Sequence, residues 1–262
     1  MKRLGQERAR FLGRGPASLL RQWRQLRLRT RPPVIGELLL VLALVFVYDR
    51  LRSLAAVDAT AAVHHGLAVL HDETLLHLRF EDSLNAWLAA HEFLRDLAAD
   101  YYQFVHETVA LVVLAICYIR RPLVYRPARN ALVLTNVVGL VVFALYPVAP
   151  PRLLTGSQFV DIVAAAGFGA NHGAMTADQY GAMPSLHLAW ATWAAITVCA
   201  MSRRRWLRML AVTHVVLTGL IVIATGNHYV LDVAVGAMLG AATAGVTGLL
   251  ARHDPAPLPE LA

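Results

Sequence analysis

Cysteine and charge are both scarce in this chain of 262 residues. The two cysteines, Cys117 and Cys199, lie inside apolar blocks, so the sequence offers neither a disulfide framework nor a thiolate metal cluster. Only 16% of the residues are charged, against roughly 25% in an ordinary soluble domain. With 57% hydrophobic residues and a mean hydropathy of +0.52, this balance excludes a soluble enzyme, a disordered chain and a coiled coil.

What the chain has instead is a series of apolar blocks of 15 to 22 residues, the length required by a bilayer core of roughly 30 Å. They predict an all-α integral membrane protein, a six-transmembrane-helix bundle with amphipathic helices on its outer surface. The predicted spans are Val34–Tyr48, Tyr101–Ile119, Ala131–Pro147, Ser185–Met201, Met209–Ala224 and Tyr229–Leu250. We expect a basic N-terminal segment (1–33), one membrane catalytic domain (34–250) and a tail (251–262).

The net charge of +7 is concentrated beside the apolar blocks. Ten of the 24 Lys and Arg residues precede residue 32, four lie in 120–129 and four in 203–208. Such clusters are typical of cytoplasmic segments, and no nucleic-acid-binding motif accompanies them. We therefore expect membrane lipids and not nucleic acid as partners, with both termini cytoplasmic. The excess of Arg over Lys, with abundant Ala, is typical of a GC-rich bacterial genome and predicts a bacterial cell membrane.

Three segments then fall on the extracytoplasmic side: 58–100, 148–184 and 225–228. The first carries eight acidic residues and two arginines, and its apolar residues have helical spacing. We expect it to form helices lying on the outer surface, with a role that the sequence leaves open. Its five histidines have no ligand spacing, so we predict surface histidines and neither a metal site nor a cofactor.

Two short patterns carry the candidate chemistry. Asp232 follows His228 by four residues, so on a helix the carboxylate can hold one imidazole nitrogen and aim the other. Ser185 suits a helix N-cap, where free backbone N–H groups bind an anion such as phosphate. By the predicted topology His187 lies at the same membrane depth as His228. Two histidines beside an anion-binding helix end predict phosphoryl transfer.

These residues resemble a known family. Pro184-Ser185-Leu186-His187 and the stretch His228–Val233 are similar to the second and third signature motifs of the type 2 phosphatidic acid phosphatase superfamily of six-helix membrane enzymes. The stretch Tyr146–Arg152 resembles the branch that contains inositol phosphorylceramide synthase, the aureobasidin target. The resemblance implies that His187 is the acid and base for the leaving group, that His228 forms a phosphohistidine and that Asp232 supports it.

The sequence departs from the family pattern in its cations. The nearest match to the first motif, Arg120 to Pro127, falls on the predicted cytoplasmic side, and Ile221 and Val222 stand where the third motif has Ser-Arg. Arg152 is the remaining guanidinium, and we predict that it binds phosphate together with Ser185. A phosphomonoester dianion needs several charge-assisted donors, whereas a phosphodiester with one charge needs fewer.

The cation count favours a phosphotransferase that moves a headgroup-phosphoryl unit from a phospholipid donor, such as phosphatidylinositol, to a lipid-alcohol acceptor. The alternative is a lipid or isoprenoid phosphate or pyrophosphate phosphatase with the same His-His-Asp site. A third reading, a non-catalytic membrane protein or transporter, lacks the internal repeat that transporters usually show.

Other intramembrane polar groups leave two readings open. His106 and Glu107, at the outer end of the second span, either line the site or serve packing and helix-end solvation. His214 is expected to form a hydrogen bond across helices. Gly236 and Gly240 predict close helix packing.

The outer segment 148–184 holds three polar residues that either bind headgroup hydroxyls or are solvated. They are Asp161, Asn171 and Asp178.

Overall fold

The computed structural model describes residues 32–54, 58–154, 156–168, 171–172, 175–176 and 179–252. Nearly all of the predicted N-terminal segment, and residues 253–262 of the predicted tail, lie outside this part of the chain. The membrane orientation of the termini therefore stays a prediction.

Helices dominate the described residues. They are α1 Val34–Leu54, α2 Ala59–Leu75, α3 Glu81–Ala89, α4 Glu92–Asp100, α5 His106–Arg120, α6 Pro122–Leu145, α7 Ile162–Ala165, α8 Leu186–Met201, α9 Arg205–Ala224 and α10 Val230–Arg252. A π-helical turn, Tyr101–Val105, joins α4 to α5, and a 3-10 turn spans Pro151–Leu153. Two short strands, β1 Asn171–His172 and β2 Met175–Thr176, pair antiparallel.

The fold is that of a helical membrane protein, but the six-span count is not confirmed. Four stretches in the described residues are long and apolar enough to cross a bilayer: Glu92–Arg120, Pro122–Leu145, Arg205–Ala224 and Val230–Ala251. The apolar part of α1 covers only Val34–Leu44, and α8 has 16 residues, which reach about 24 Å at 1.5 Å per residue. Both predicted blocks are helical, yet both are short for a bilayer core.

Two predicted boundaries are wrong. The expected loop over 120–130 is mostly helix, because Pro122 fits the first turn of α6 and its fixed φ starts that helix early. The second span was predicted to begin at Tyr101, but its helix begins at Glu92, since α4 continues through the π-helical turn into one 29-residue helix.

Helix α8 lies centrally and packs against α5, α6, α9 and α10. Helix α10 approaches the backbone of α8 so closely that two of its contact positions have room only for glycine. A Cβ on Gly236 would lie 2.2 Å from the carbonyl oxygen of Ser185, and one on Gly240 would lie 2.3 Å from that of Ala189. The predicted close packing at these glycines is confirmed, and it sets the start of α8 against the first turns of α10.

The outer helices α2 and α3 do not simply lie on the surface. The backbone N–H of Ala149 donates to the carbonyl of Ala62 in α2 at 2.9 Å, and the Tyr229 hydroxyl donates to the carbonyl of Ala149 at 2.8 Å. His65, predicted to be a surface residue, forms a hydrogen bond with the Pro147 carbonyl at 2.8 Å. The segment therefore packs onto the connections that follow α6 and α9.

Candidate active site

His228 lies in the short connection between α9 and α10, where Gly226 takes a φ of 72° that favours glycine. The side chain is buried, and its Nδ1 atom lies 2.9 Å from the carbonyl oxygen of Ala182. Because a carbonyl only accepts, Nδ1 carries the proton and Nε2 keeps the lone pair. The ring is therefore held with Nε2 available as a nucleophile.

Asp232 lies in the first turn of α10 and is fully buried. Its Oδ2 atom is 3.4 Å from Nδ1 of His228 and accepts the backbone N–H of Tyr229 at 3.1 Å. The predicted pairing of the two side chains is present. The Ala182 carbonyl is nonetheless the nearer partner of His228, and sequence reasoning missed it because a backbone carbonyl has no residue-type signature.

His187 follows Ser185 at the start of α8, and its Nδ1 atom lies 3.4 Å from Nε2 of His228. Ser185 is the N-cap, as predicted, and its hydroxyl accepts the backbone N–H of Leu188. The backbone N–H of Ser185 donates to the carbonyl of Asp232 at 3.1 Å, which ties the two motifs together. Because the Ser185 side chain is fully buried, its contact with phosphate stays a prediction.

Two aromatic rings from the π-helical turn and α5 surround His187. Tyr102 stacks on it with ring centroids 4.5 Å apart, and the His106 ring lies at 4.1 Å. His106 therefore lines the site, one of the two readings that the sequence left open. Tyr102 was missed, since a π-helical turn, which is often found at functional sites, cannot be read from apolar periodicity.

Arg152 extends from the 3-10 turn toward the same region. Its backbone N–H donates to the carbonyl of Gly226 at 3.1 Å, two residues before His228. Its Nε atom lies 3.1 Å from Oδ2 of Asp161, and the charges of both residues act on the hydroxyl of Tyr102. Asp161 is thus the ion-pair partner of Arg152, and the pair brings little net positive charge.

Asn85 of α3 is a further site-forming residue that the sequence did not single out. It is 1% exposed, and its amide nitrogen donates to the carbonyls of Val160 and Ala224 at 3.0 and 2.8 Å. Its amide oxygen accepts the backbone N–H of Val160 at 2.8 Å. One side chain therefore links the segment before Asp161 to the connection that carries His228.

Two acidic residues counted as surface groups, Glu73 and Glu81, are in fact fully buried, so that expectation is wrong. Glu73 accepts the backbone N–H of Leu231 in the first turn of α10 at 2.7 Å, and its carboxyl group lies beside that of Glu81. Burial, followed by the neighbouring carboxyl group of Glu81, raises the pKa of Glu73 from 4.5 to about 8. Two carboxyl groups in contact cannot both ionise, so the pair holds a proton beside Asp232.

His214, as predicted, forms a hydrogen bond across helices: its Nδ1 atom lies 2.7 Å from the Tyr101 hydroxyl. Within the described ranges, no group of three or more His, Cys, Asp and Glu side chains is placed to hold a metal ion. Asp178 and the side chain of Asn171 lie outside the described part of the structure, so the two readings that the sequence left for them stay open.

Comparisons with known proteins identify a family and a shared fold. A family model described as the PAP2 superfamily matches residues 67–246, which include every residue of the site described above. Among solved structures, the chain is similar to that entitled "Crystal structure of Aquifex aeolicus LpxE", with a TM-score of 0.52 and 20% sequence identity. That similarity covers 66% of this chain and 94% of the other and shows a shared fold. No curated protein sequence matches the chain.

Proposed function

This chain belongs to the PAP2 superfamily and is an enzyme of that lipid phosphatase family, and on that premise we propose that it transfers phosphoryl groups between lipids through a phosphohistidine. The reaction moves a headgroup-phosphoryl unit from a phospholipid such as phosphatidylinositol to a lipid alcohol. The observation that carries the proposal is the facing pair of imidazoles, His228 Nε2 and His187 Nδ1.

The steps follow from the hydrogen bonds of the two rings. His228 Nε2 attacks phosphorus while its Nδ1–H stays bonded to the Ala182 carbonyl and the Asp232 carboxylate. His187, in its doubly protonated form, gives a proton to the departing diacylglycerol oxygen. The same ring then takes the proton of the incoming hydroxyl as that oxygen attacks the phosphohistidine.

The choice of a phosphodiester rests on Arg152. Its guanidinium supplies a positive charge beside the site, and the ion pair with Asp161 already offsets that charge. A dianionic monoester would meet less compensating charge than it needs, whereas a monoanionic diester meets enough. We place the reaction on the extracytoplasmic side of a bacterial cell membrane, which the positive-inside distribution of arginines supports.

The second candidate is hydrolysis of a lipid or isoprenoid phosphate, with water in the place of the lipid alcohol. Membership of the PAP2 superfamily favours it. In both reactions His228 attacks phosphorus and His187 protonates the departing oxygen, so the charge of the donor and the identity of the acceptor separate them.

A product assay on the purified protein in detergent micelles tests both. Phosphatidylinositol labelled in its phosphate is offered with and without a long-chain lipid alcohol, beside phosphatidic acid and the His228→Ala variant. A labelled lipid that appears only with the acceptor and is lost in the variant establishes transfer. Free phosphate from phosphatidic acid, regardless of acceptor, establishes a phosphatase and contradicts the argument from Arg152.

A further inference from the structure

A cavity of about 830 Å³ opens at the end of the bundle opposite the two histidines. It lies between the turn that joins α5 to α6 and the turn that joins α8 to α9, and it is lined by residues 120–124 and 200–204. His187 is in the first turn of α8, and the cavity lies at its last turn, about 20 Å away at 1.5 Å per residue. This cavity is therefore separate from the site described above.

The charge of the cavity wall is entirely positive. The arginines that line it are Arg120, Arg121, Arg203 and Arg204. Within the described part of the chain, none of these guanidinium groups forms an ion pair or a side-chain hydrogen bond. The carboxylate of Glu37 in α1 is already bound by Arg129 and by the hydroxyl of Tyr125. The cavity thus gathers four positive charges with no described counter-charge.

Two helix N-termini add to this positive charge. Arg121 is the N-cap of α6 and Arg204 that of α9, and neither helix has a side-chain hydrogen bond capping its first turn. A helix N-terminus carries a partial positive charge and favours an anion, whereas a cation there is disfavoured. Arg121 and Arg204 are exposed to solvent, and an anion bound between them is attracted by both the guanidinium groups and the two helix N-termini.

The edge of the cavity is apolar. Leu123, which lines it, is 67% exposed, and the first turns of α9 carry Trp206 and Met209, which are 59% and 69% exposed. Aromatic and aliphatic side chains beside arginines are typical of the level where lipid headgroups meet acyl chains. A soluble polyanion or a nucleic acid would leave these apolar side chains without a partner.

We propose that this cavity binds the phosphate group of an anionic phospholipid, whose acyl chains lie along the exposed apolar residues at the starts of α6 and α9. The lipid here is a bound structural partner and not a substrate. It neutralises the arginine cluster and fixes the two turns that hold the far ends of α5, α6, α8 and α9. The proposal does not depend on the reaction at His228.

Lipid binding to the purified protein in a zwitterionic detergent tests this. Phosphatidylglycerol, phosphatidylcholine with the same acyl chains, and inorganic phosphate are each titrated, and both the thermal unfolding midpoint and bound lipid by native mass spectrometry are measured. We expect phosphatidylglycerol alone to bind and raise the midpoint. The Arg121→Gln/Arg204→Gln double variant should raise its apparent dissociation constant roughly tenfold or more, through loss of two charge-assisted contacts.

Matched variants separate this cavity from the other anion site. The Arg79→Gln/Arg95→Gln double variant removes the same charge from the outer helices and should bind phosphatidylglycerol as the parent protein does. Arg152→Gln, which alters the catalytic end, should keep the stabilisation by phosphatidylglycerol that depends on Arg121 and Arg204.

Four results overturn the proposal. Equal binding of phosphatidylcholine, or unchanged binding by the Arg121→Gln/Arg204→Gln variant, shows that the arginines do not select the lipid. An equal effect of inorganic phosphate shows an anion site that needs no lipid. Binding of phosphatidylglycerol only after removal of residues 253–262 shows that the acidic residues of the chain's own tail fill the cavity.

Discussion

The Nε2 atom of His228 lies 3.4 Å from the Nδ1 atom of His187, while the Nδ1 atom of His228 faces the Ala182 carbonyl at 2.9 Å. The two bonds fix opposite roles for the two nitrogens of one ring. A phosphorus atom bound to Nε2 takes the position that His187 now occupies. The proposed mechanism therefore requires His187 to move aside when substrate enters and then to face the oxygen that leaves.

The His187→Ala variant should lose general acid catalysis and keep the nucleophile. We expect turnover of a natural lipid ester to fall by roughly 10² to 10⁴. With a p-nitrophenyl phosphodiester, whose leaving group needs no proton, the first step should persist and the phosphorylated protein should accumulate. Two quantities are measured: the burst of nitrophenol that the first step releases, and the phosphate bound to the quenched protein. The bound phosphate should be labile in acid and stable in base.

Two controls make this result specific. His228→Ala should give neither burst nor bound phosphate with either substrate, and His71→Ala, which changes an exposed histidine of α2, should match the parent protein. A burst of full size in His228→Ala would contradict the assignment of the nucleophile.

Asp161→Asn should shift the substrate preference toward phosphomonoesters. The isosteric change removes the carboxylate that offsets Arg152, so the site gains one net positive charge where a dianion binds. We expect the ratio of kcat/KM for phosphatidic acid to kcat/KM for a phosphodiester to rise by about tenfold.

The double-mutant cycle with Arg152→Gln tests the cause of that shift. In the absence of the guanidinium, Asp161→Asn should no longer change the ratio, because the two residues act as one pair. An unchanged effect in both backgrounds would show that Asp161 acts on the substrate independently of Arg152.

The motif residues could be predicted from the sequence because each is defined by its own residue type and spacing. The i, i+4 relation brought Asp232 to His228, and the N-cap preference placed Ser185 at the start of α8. Each of these relations involves neighbouring residues at the start of a single helix, α10 in the first case and α8 in the second. The length of the spans was less predictable, since apolar composition does not show that Pro122 starts α6 or that α4 runs into α5.

The residues that support the motifs could not be predicted, because their partners are backbone groups far along the chain. Asn85 binds the carbonyl of Ala224, and Glu73 binds the N–H of Leu231. Neither pairing leaves a pattern in residue types. An acidic, amphipathic segment is normally a solvated face, and only the tertiary structure shows that two of its carboxyl groups are buried.

The Glu73→Gln variant should remove a pH dependence of stability. The pKa of Glu73 is about 8 in the folded protein, against an ordinary value of 4.5. Between these values the folded state holds a proton that the unfolded state releases. The stabilisation is thus complete below pH 4.5 and is lost as pH rises through about 8.

The measurement is the thermal midpoint of the parent and the variant from pH 6 to pH 9. The amide keeps an oxygen for the Leu231 N–H and cannot ionise, so the difference, variant minus parent, should grow with pH. Glu92→Gln, which changes a side chain that is 83% exposed, should give no such trend. A constant difference for Glu73→Gln would show that the pair does not titrate in this range.

Asn85→Ala should destabilise the protein and impair the reaction together. It leaves the carbonyls of Val160 and Ala224 and one N–H group without their partner. Since each unsatisfied buried group costs about 1 to 3 kcal/mol, we expect a clear fall in the thermal midpoint. Among the molecules that remain folded, kcat should fall because the connection to His228 is loosened.

Ser83→Ala is the matched control for this variant, since it changes an exposed residue of the same helix. It should leave both the midpoint and kcat unchanged. If Asn85→Ala has a lower thermal midpoint but a normal kcat at temperatures where it is folded, Asn85 contributes to stability and not to the reaction.

Gly236→Ala should separate the two catalytic motifs, whereas Gly245→Ala on the same helix should be harmless. The new methyl group at 236 would lie 2.2 Å from the carbonyl oxygen of Ser185, so α8 and α10 must move apart. That movement stretches the bond from the Ser185 N–H to the Asp232 carbonyl.

A Cβ at 245 meets nothing within 4 Å, and alanine there raises helix propensity by about 1 kcal/mol. We expect Gly245→Ala to raise the thermal midpoint with normal turnover and Gly236→Ala to lose activity even in folded protein. Equal activity of the two variants would show that the contact between these helices does not position the histidines.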